Sequence, residues 1–514
     1  MPATFNRLPA TLGTSVLVLA WVWPLAGGPS PATLPWLISV ACLAVWLLVW
    51  DWRRPDVAQC AAHAWLVAAV LSSVIGLLQF FGVSAWFKPW INVTALGDAF
   101  GNLRQRNQFA SLLGIGLVVL LWGPIARWRA ERPASTSVLS LAPLAALSAV
   151  VLLATANAGS SSRTGLLQTL LVLPMLALCW RTHPSPGVAM RLWVAIAAYG
   201  SASMALPLLA GLDPFSSGIA GRFGDADRAC GSRRLLWANV LHLIAERPWW
   251  GWGWRELDFA HFTTLYPGER FCDILDNAHN LPLHLAVELG VPFAALACAL
   301  IGWLVLRARP WRESDDRRRM AWAVLALIGL HSLLEYPLWY GPFQIAAVLA
   351  VWILWSTRAP VGKACRDSVS VPAAAWIRVC AITALLAVAY AAWDYYRVSQ
   401  IYRDPAQRAA AYRDDTLAKV RDSWLFRNQV SFAELTLSRV TPANAMSINR
   451  DAHRVLHFSP EARVVEKLID SALVLDRTEE AVFFMRRFRI AYPKDYARWR
   501  DTREPVAELP PIDP

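Results

Sequence analysis

The sequence predicts an all-α, polytopic integral membrane protein that ends in a helical domain. Three observations carry this. Of 514 residues, 56% are hydrophobic and 17% charged, whereas a soluble chain has about 25% charged. The apolar residues fall in blocks of about 20, the length that spans a bilayer. The 28 tryptophans include Trp21, Trp23, Trp86, Trp90, Trp122, Trp128 and Trp339 at block ends, where indoles anchor at the membrane surface. A net charge of +12 would suggest nucleic acid in a soluble protein. Here the excess of basic residues in cytoplasmic loops explains it, and no nucleic-acid partner is expected.

About eleven spans are expected. They lie near residues 10–27, 33–50, 60–82, 108–126, 137–156, 165–180, 191–210, 279–306, 320–338, 342–357 and 374–393. The first block has the length of a signal peptide, but no small-x-small cleavage site follows it, so it is read as the first helix. Every second connection is basic: Arg53 and Arg54; Arg127, Arg129 and Arg132; Arg181 and Arg191; Arg307 to Arg319; Arg358, Lys363 and Arg366. The connections 28–34 and 339–343 carry no Lys or Arg. The basic set is therefore expected inside. Residues 211–278 and everything after about 394 are then outside, which in a bacterial inner membrane is the periplasm.

Four regions follow. Residues 1–210 hold the amino-terminal spans, 211–278 form a large periplasmic loop, 279–393 hold the remaining spans, and 394–514 form a periplasmic helical domain. The tail is charged and amphipathic at helical spacing, with helices expected at Pro405–Lys419, Thr441–Phe458, Glu461–Leu475 and Glu479–Tyr492. Helices of this size resemble tetratricopeptide-like pairs, without a clean period. The tail reads as a cap on the membrane domain and as a docking surface for a protein.

The chemistry concentrates in the long loop. His279 stands at the mouth of a span between Asn277 and Asn280, with Asp276 just before it. An imidazole titrates near neutrality and can take a proton from a hydroxyl. Asp276 is placed to orient the ring if the helix begins early. His242, His261, His284 and His331 are read as structural. Arg163 lies in a short outside turn, Gly159-Ser160-Ser161-Ser162-Arg163-Thr164-Gly165, against the charge bias, which asks for an anionic partner. Arg233 and Arg234 either pair with Asp225 or Asp227 or bind a phosphate or pyrophosphate through guanidinium forks. Asp225-Ala226-Asp227 resembles the Asp-x-Asp of metal-dependent glycosyltransferases, but nucleotide sugars are cytoplasmic and this loop is outside. No metal and no cofactor are expected. Cys230 and Cys272 share the oxidising loop, either as a disulfide or as two free thiols.

Five stretches together carry a resemblance. They are Gly101-Asn102-Leu103-Arg104-Gln105-Arg106-Asn107-Gln108-Phe109-Ala110, Ser162-Arg163-Thr164-Gly165, Arg233-x-x-x-Trp237 before Pro248-Trp249-Trp250-Gly251-Trp252-Gly253, Asn277-Ala278-His279-Asn280, and Leu334-Glu335-Tyr336-Pro337-Leu338-Trp339-Tyr340. In this order they resemble the O-antigen ligase / Wzy superfamily, and within it the PglL-type protein O-oligosaccharyltransferases, over about residues 95 to 345. Arg106 stands where pilin-type members more often have proline. The resemblance implies metal-independent, inverting transfer of an oligosaccharide from undecaprenyl pyrophosphate to a protein Ser/Thr hydroxyl, with a pilin-like acceptor, on the periplasmic face. It implies His279 as the base and Arg163 and Arg233, with Arg234, at the pyrophosphate. Asp276, Asn280, Glu335 and Tyr336 are supporting or acceptor-side candidates.

Two alternatives stay open. One is a ligase acting on lipid A core, or an O-antigen polymerase; the pilin-type tail and the Glu335–Tyr340 stretch argue for protein. The other is a transporter of polyprenol-linked glycan. A transporter places ionisable residues near mid-membrane, whereas these spans are nearly free of them.

Overall fold

The computed structural model describes residues 8–26, 28–30, 32–50, 57–123, 142–181, 187–224, 230–357 and 371–502. Among these residues the chain is all-α, with no strand. In chain order the helices are α1 (Leu8–Val22), α2 (Thr33–Val49), α3 (Val57–Phe80), α4 (Arg106–Trp122), α5 (Ala142–Gly159), α6 (Arg163–Leu167), α7 (Leu173–Cys179), α8 (Val188–Leu209), α9 (Gly218–Gly224), α10 (Arg233–Glu246) and α11 (Leu257–Thr263). They continue as α12 (Leu281–Leu289), α13 (Val291–Ala308), α14 (Asp316–Ser332), α15 (Gly341–Ser356), α16 (Val371–Ser399), α17 (Thr416–Val420), α18 (Arg427–Leu437), α19 (Ala445–Leu456), α20 (Ala462–Val474), α21 (Thr478–Ala491) and α22 (Pro493–Thr502). The basic connections expected near 51–56, 124–141 and 358–370, with Cys365, lie outside the described residues, as do Asp225 and Asp227.

Among the described residues each of the eleven apolar segments read from the sequence contains helix. The span expected over 320–338, however, ends at Ser332 as α14, whose first turn carries Asp316, Arg317, Arg318 and Arg319. Among the described residues, four stretches are long and apolar enough to cross a membrane: Val57–Phe80, Val188–Leu209, Val291–Arg312 and Ala373–Tyr402. Six shorter apolar helices accompany them. The segment expected as one span over 279–306 is divided at Gly290 into α12 and α13.

The chain forms two compact units. The first comprises residues 1–26, 31–226 and 302–390. In it α1, α3 and α4 pack in succession, and α14 lies between α4 and α15. Its core is apolar on all sides of α4, from Phe109 through Leu112, Leu113, Ile115 and Val118 to Trp122. A helix that is hydrophobic all round is buried by its neighbours. Small residues permit the close approach: a Cβ on Gly116 would meet Ala69 Cβ at 2.6 Å and Leu153 Cδ2 at 2.5 Å.

The second unit comprises residues 27–30, 227–301 and 391–514. Its carboxy-terminal helices are amphipathic. Ile448, Ala452, Val455 and Leu456 line one face of α19, Val464, Val465, Leu468, Ile469 and Ala472 one face of α20, and Ala481, Phe484, Met485 and Phe488 one face of α21. These i, i+3, i+4 stripes pack α19 on α20 and α20 on α21. The helix expected at Pro405–Lys419 is instead two 3-10 turns, Pro405–Gln407 and Ala410–Tyr412, followed by the short α17. The Gln400 side chain takes the Ala409 N–H at 3.0 Å, and Asp415 adopts φ 49°. Both draw the backbone away from a helical path. The helices α18 and α22 were not among those expected.

Candidate active site

Three of the motifs meet in the first unit through one hydrogen-bonded chain. Ser162 caps α6, its hydroxyl accepting the Gly165 N–H at 3.0 Å. The same hydroxyl donates to Asn107 Oδ1 at 2.6 Å. Asn107 Nδ2 in turn donates to Glu335 Oε1 at 3.1 Å. Ser162 and Glu335 are buried, so each oxygen needs such a partner. Arg163 follows the cap as the first residue of α6 and is half-buried. Its turn is specified locally: Ser161 takes φ 52°, and a Cβ on Gly165 would stand 2.4 Å from Asn157 Oδ1.

Beneath this turn the helix widens into a π segment, Gln168–Val172, a distortion frequent at functional sites. Gln168 Nε2 donates to Ser111 Oγ at 2.9 Å, and Ser111 bonds His331 Nδ1 at 2.9 Å. His331 is thus a buried structural residue, as read from the sequence. Arg106 takes the first position of α4, where a proline is also accommodated, and its guanidinium pairs with Asp98. Arg104 donates to the Pro24 carbonyl. Tyr336 is half-buried and stacks on Tyr340, with ring centroids 5.8 Å apart.

The remaining candidates lie in the second unit. His279 has φ 50°, a left-handed conformation that costs a non-glycine residue about 1–2 kcal/mol. Two neighbours hold it there. Its N–H donates to Asn277 Oδ1 at 2.9 Å, and Asn280 caps α12 by accepting the Leu283 N–H at 3.0 Å. The helix begins at Leu281, so Asp276 is not one helical turn below His279, the geometry the sequence suggested. The two side chains nonetheless interact through charge. The surrounding protein raises the Asp276 carboxyl, and His279 and then Arg255 oppose the rise.

Arg233 opens α10 behind the Ser232 cap and is half-buried, while Arg234 is exposed. Trp237 lies four residues on, hence on the same face as Arg233. Its indole N–H donates to the Ala278 carbonyl at 3.0 Å. The Arg-x-x-x-Trp and Asn-Ala-His-Asn motifs are therefore joined directly. Cys230 and Cys272 form a disulfide, with α-carbons 5.4 Å apart. It closes the segment that contains α10 and α11 just ahead of Asp276.

The glycine-tryptophan run explains the division at Gly290. The N–H groups of Trp252 and Gly253 donate to the carbonyls of Val287 and Glu288, each at 2.9 Å, and the Val291 N–H donates to Pro248 O at 2.8 Å. A Cβ on Gly251 would stand 2.4 Å from the Glu288 carbonyl, and one on Gly290 would stand 2.2 Å from Trp249 O. Only glycine admits this backbone approach. Trp249 and Trp250 are left exposed, as residues that anchor at a membrane surface are.

Sequence reasoning missed two carboxyls of this unit, the half-buried Asp258 and the buried Glu288. Burial raises the Asp258 carboxyl to about 7, the Phe259 N–H opposes this, and Asp276 and Glu256 add to it. His284, expected to be a bystander, is buried, with Nε2 3.5 Å from the buried Glu288 carboxylate. His261 is buried as well, bonded to Tyr266 Oη at 2.8 Å and Phe271 O at 3.1 Å, and burial lowers it to about 3. The available signal was Arg255, a cation that follows the glycine-tryptophan run directly and whose charge acts on both Asp276 and Glu288. Among the described residues no three His, Cys, Asp or Glu side chains gather as metal ligands do.

Three family models and one relative match parts of the chain. Residues 148–298 match the O-antigen ligase family. Residues 99–122 match the protein glycosylation ligase family. Residues 319–507 match the family described as virulence factor membrane-bound polymerase, C-terminal. A general O-oligosaccharyltransferase from Acinetobacter baylyi is 26% identical over 178 residues, which cover 34% of this chain and 30% of that relative.

Proposed function

We propose, on the premise that the chain is a member of the O-antigen ligase and protein glycosylation ligase superfamily, that it transfers an oligosaccharide from a polyprenyl pyrophosphate, undecaprenyl in a bacterial inner membrane, to a Ser or Thr hydroxyl of a protein, with a pilin-like protein as acceptor, on the periplasmic face. The observation that carries the reading is His279, held in a strained conformation by Asn277 and tied to α10 through Ala278 and Trp237. A base placed there takes the acceptor proton as the hydroxyl attacks the anomeric carbon and the bond to the pyrophosphate breaks. Such a base contributes about 10²–10⁴-fold. Arg233 and Arg234 neutralise the departing pyrophosphate through donor forks suited to phosphate oxygens. Arg163 is assigned the same role on the resemblance, and its own variant tests it. Asp276 interacts with His279 through charge, and Asn280 fixes the start of α12.

The test uses purified full-length protein, undecaprenyl-pyrophosphate-linked oligosaccharide and an acceptor protein, read by mass spectrometry. His279→Ala is expected to lose transfer by about 10²–10⁴-fold and to retain donor binding. Arg233→Ala and Arg163→Ala are each expected to lose donor binding, with partial recovery by Lys. Wild-type turnover of His279→Ala removes the base assignment. The match to a membrane-bound polymerase family over 319–507 favours a second reading, in which the acceptor is another glycan. Transfer to lipid-linked glycan with none to protein would establish that reading instead.

A further inference from the structure

The second unit contains a cavity of about 530 Å³ that the proposed chemistry does not use. One wall is the segment 246–265, between α10 and the end of α11, and the other is formed by α19 and α21. Its volume is in the range of ligand pockets, about 300–1,000 Å³. The walls are fastened to each other. Arg487 Nε donates to the Thr263 carbonyl at 2.6 Å. The His457 ring stacks on Phe259 with centroids 3.8 Å apart, and its Nδ1 lies 2.7 Å from Glu256 Oε2.

Two guanidinium groups face this space. Arg247 lies 4.0 Å over the Trp252 ring, and Arg487 lies 3.3 Å over the Phe483 ring. Stacking holds each planar fork in place. Arg487 donates only to backbone carbonyls, Thr263 O and Phe483 O, which do not neutralise it. Among the described residues neither arginine has a carboxylate partner. The one carboxylate in the lining, Glu246, is engaged by Thr264 Oγ1 at 3.2 Å and His242 Nε2 at 3.3 Å, and its charge offsets that of one of the two guanidinium groups. His453 is held by Glu480 at 2.6 Å. The charge left over is positive, set among Trp and Phe rings.

We infer that this cavity binds an acidic, aromatic-bearing polypeptide segment of the protein acceptor. A carboxylate on the segment would meet a fixed fork, and a neighbouring apolar side chain would lie against Phe259 and Phe483. Oligosaccharide is the less suited occupant. Sugar hydroxyls need free acceptors as well as donors, and those of the lining are taken: Glu246 by Thr264 and His242, His453 by Glu480 and His457 by Glu256. The inference rests on the reading that the acceptor is a protein.

The test is fluorescence anisotropy of full-length protein in nanodiscs, without glycan donor. The probe is a fluorescein-labelled dodecapeptide of Asp, Glu, Phe, Gly and Ser, compared with its counterpart carrying Lys for Asp and Glu. The acidic peptide is expected to bind at least about tenfold more tightly than the basic one, and added salt is expected to weaken it. Arg247→Glu, on an exposed side chain, is expected to lower the melting temperature only slightly through loss of the stack on Trp252, and to weaken the acidic peptide about tenfold or more. Replacing Phe in the peptide by Gly is expected to weaken it as well. Equal binding of the two peptides, an Arg247→Glu variant that binds as wild type, or competition by oligogalacturonate at equal strength would overturn the inference. Peptide binding without any transfer to protein would sink the protein-acceptor reading and leave an acidic-peptide site standing. Transfer with charge-insensitive peptide binding would sink the site alone.

Discussion

The indole N–H of Trp237 donates to the carbonyl of Ala278 at 3.0 Å, so the residue before His279 hangs from the helix that Arg233 opens. The bond predicts a division between position and chemistry. Trp237→Phe keeps the packing and removes one donor, at about 1 kcal/mol. It is expected to lower kcat for transfer roughly tenfold, since small misplacements of a reacting group are costly. His279→Gly is expected to be inactive yet more stable than His279→Ala by about 1 kcal/mol, because glycine accepts the left-handed backbone freely. Thermal unfolding and transfer assays on the three variants measure both effects, and a Trp237→Phe protein with wild-type kcat removes the positioning role.

Asn107 links the Arg163 turn to Glu335 by donating to one partner and accepting from the other. Glu335→Gln keeps an oxygen for Asn107 and is expected to be mild. Asn107→Asp sets a carboxylate against Glu335 and is expected to cost about 2–3 kcal/mol of stability. Asn107→Ala frees the cap of α6 and is expected to weaken donor binding more than kcat. Equal behaviour of Glu335→Gln and Asn107→Asp would contradict this chain.

Asp258 gives a pH dependence with a definite sign. Burial raises its carboxyl from 3.8 to about 7 in the folded protein. The folded state therefore holds this proton more tightly than the unfolded chain. The stability it contributes is full below about pH 4 and is lost as pH rises toward 7. Asp258→Asn is expected to raise the melting temperature at pH 7.5 and to have no effect at pH 4. A gain of the same size at both values would show that the carboxyl titrates as an ordinary one.

The alternation of basic and neutral connections predicts an orientation. A reporter active only in the periplasm, fused after residue 240 or 430, is expected to be active, and one fused after 313 silent. Activity of the 313 fusion would reverse the orientation and move His279 to the cytoplasmic face.

Much of the architecture was legible in the sequence, because membrane helices are specified by composition over a window. Apolar length, tryptophan placement and loop charge each act locally, and the helices appear where those patterns lie. The amphipathic tail was legible for the same reason at α19, α20 and α21, and failed at Pro405–Lys419, where single contacts to Gln400 and the turn at Asp415 override periodicity. The site was legible only as a set of motifs. Their spacing marked His279, Arg163 and Arg233, and the two cysteines of one loop allowed the bridge that the structure contains. The sequence could not join Asn107 to Ser162 and Glu335, 55 and 228 residues away. Nor could it foresee that Gly251 lies against the backbone of Glu288 and Gly290 against that of Trp249, where an apolar run is divided in two. Those are properties of pairs distant along the chain. A hydrogen bond or a backbone contact depends on where folding brings both members, and only the tertiary structure decides that.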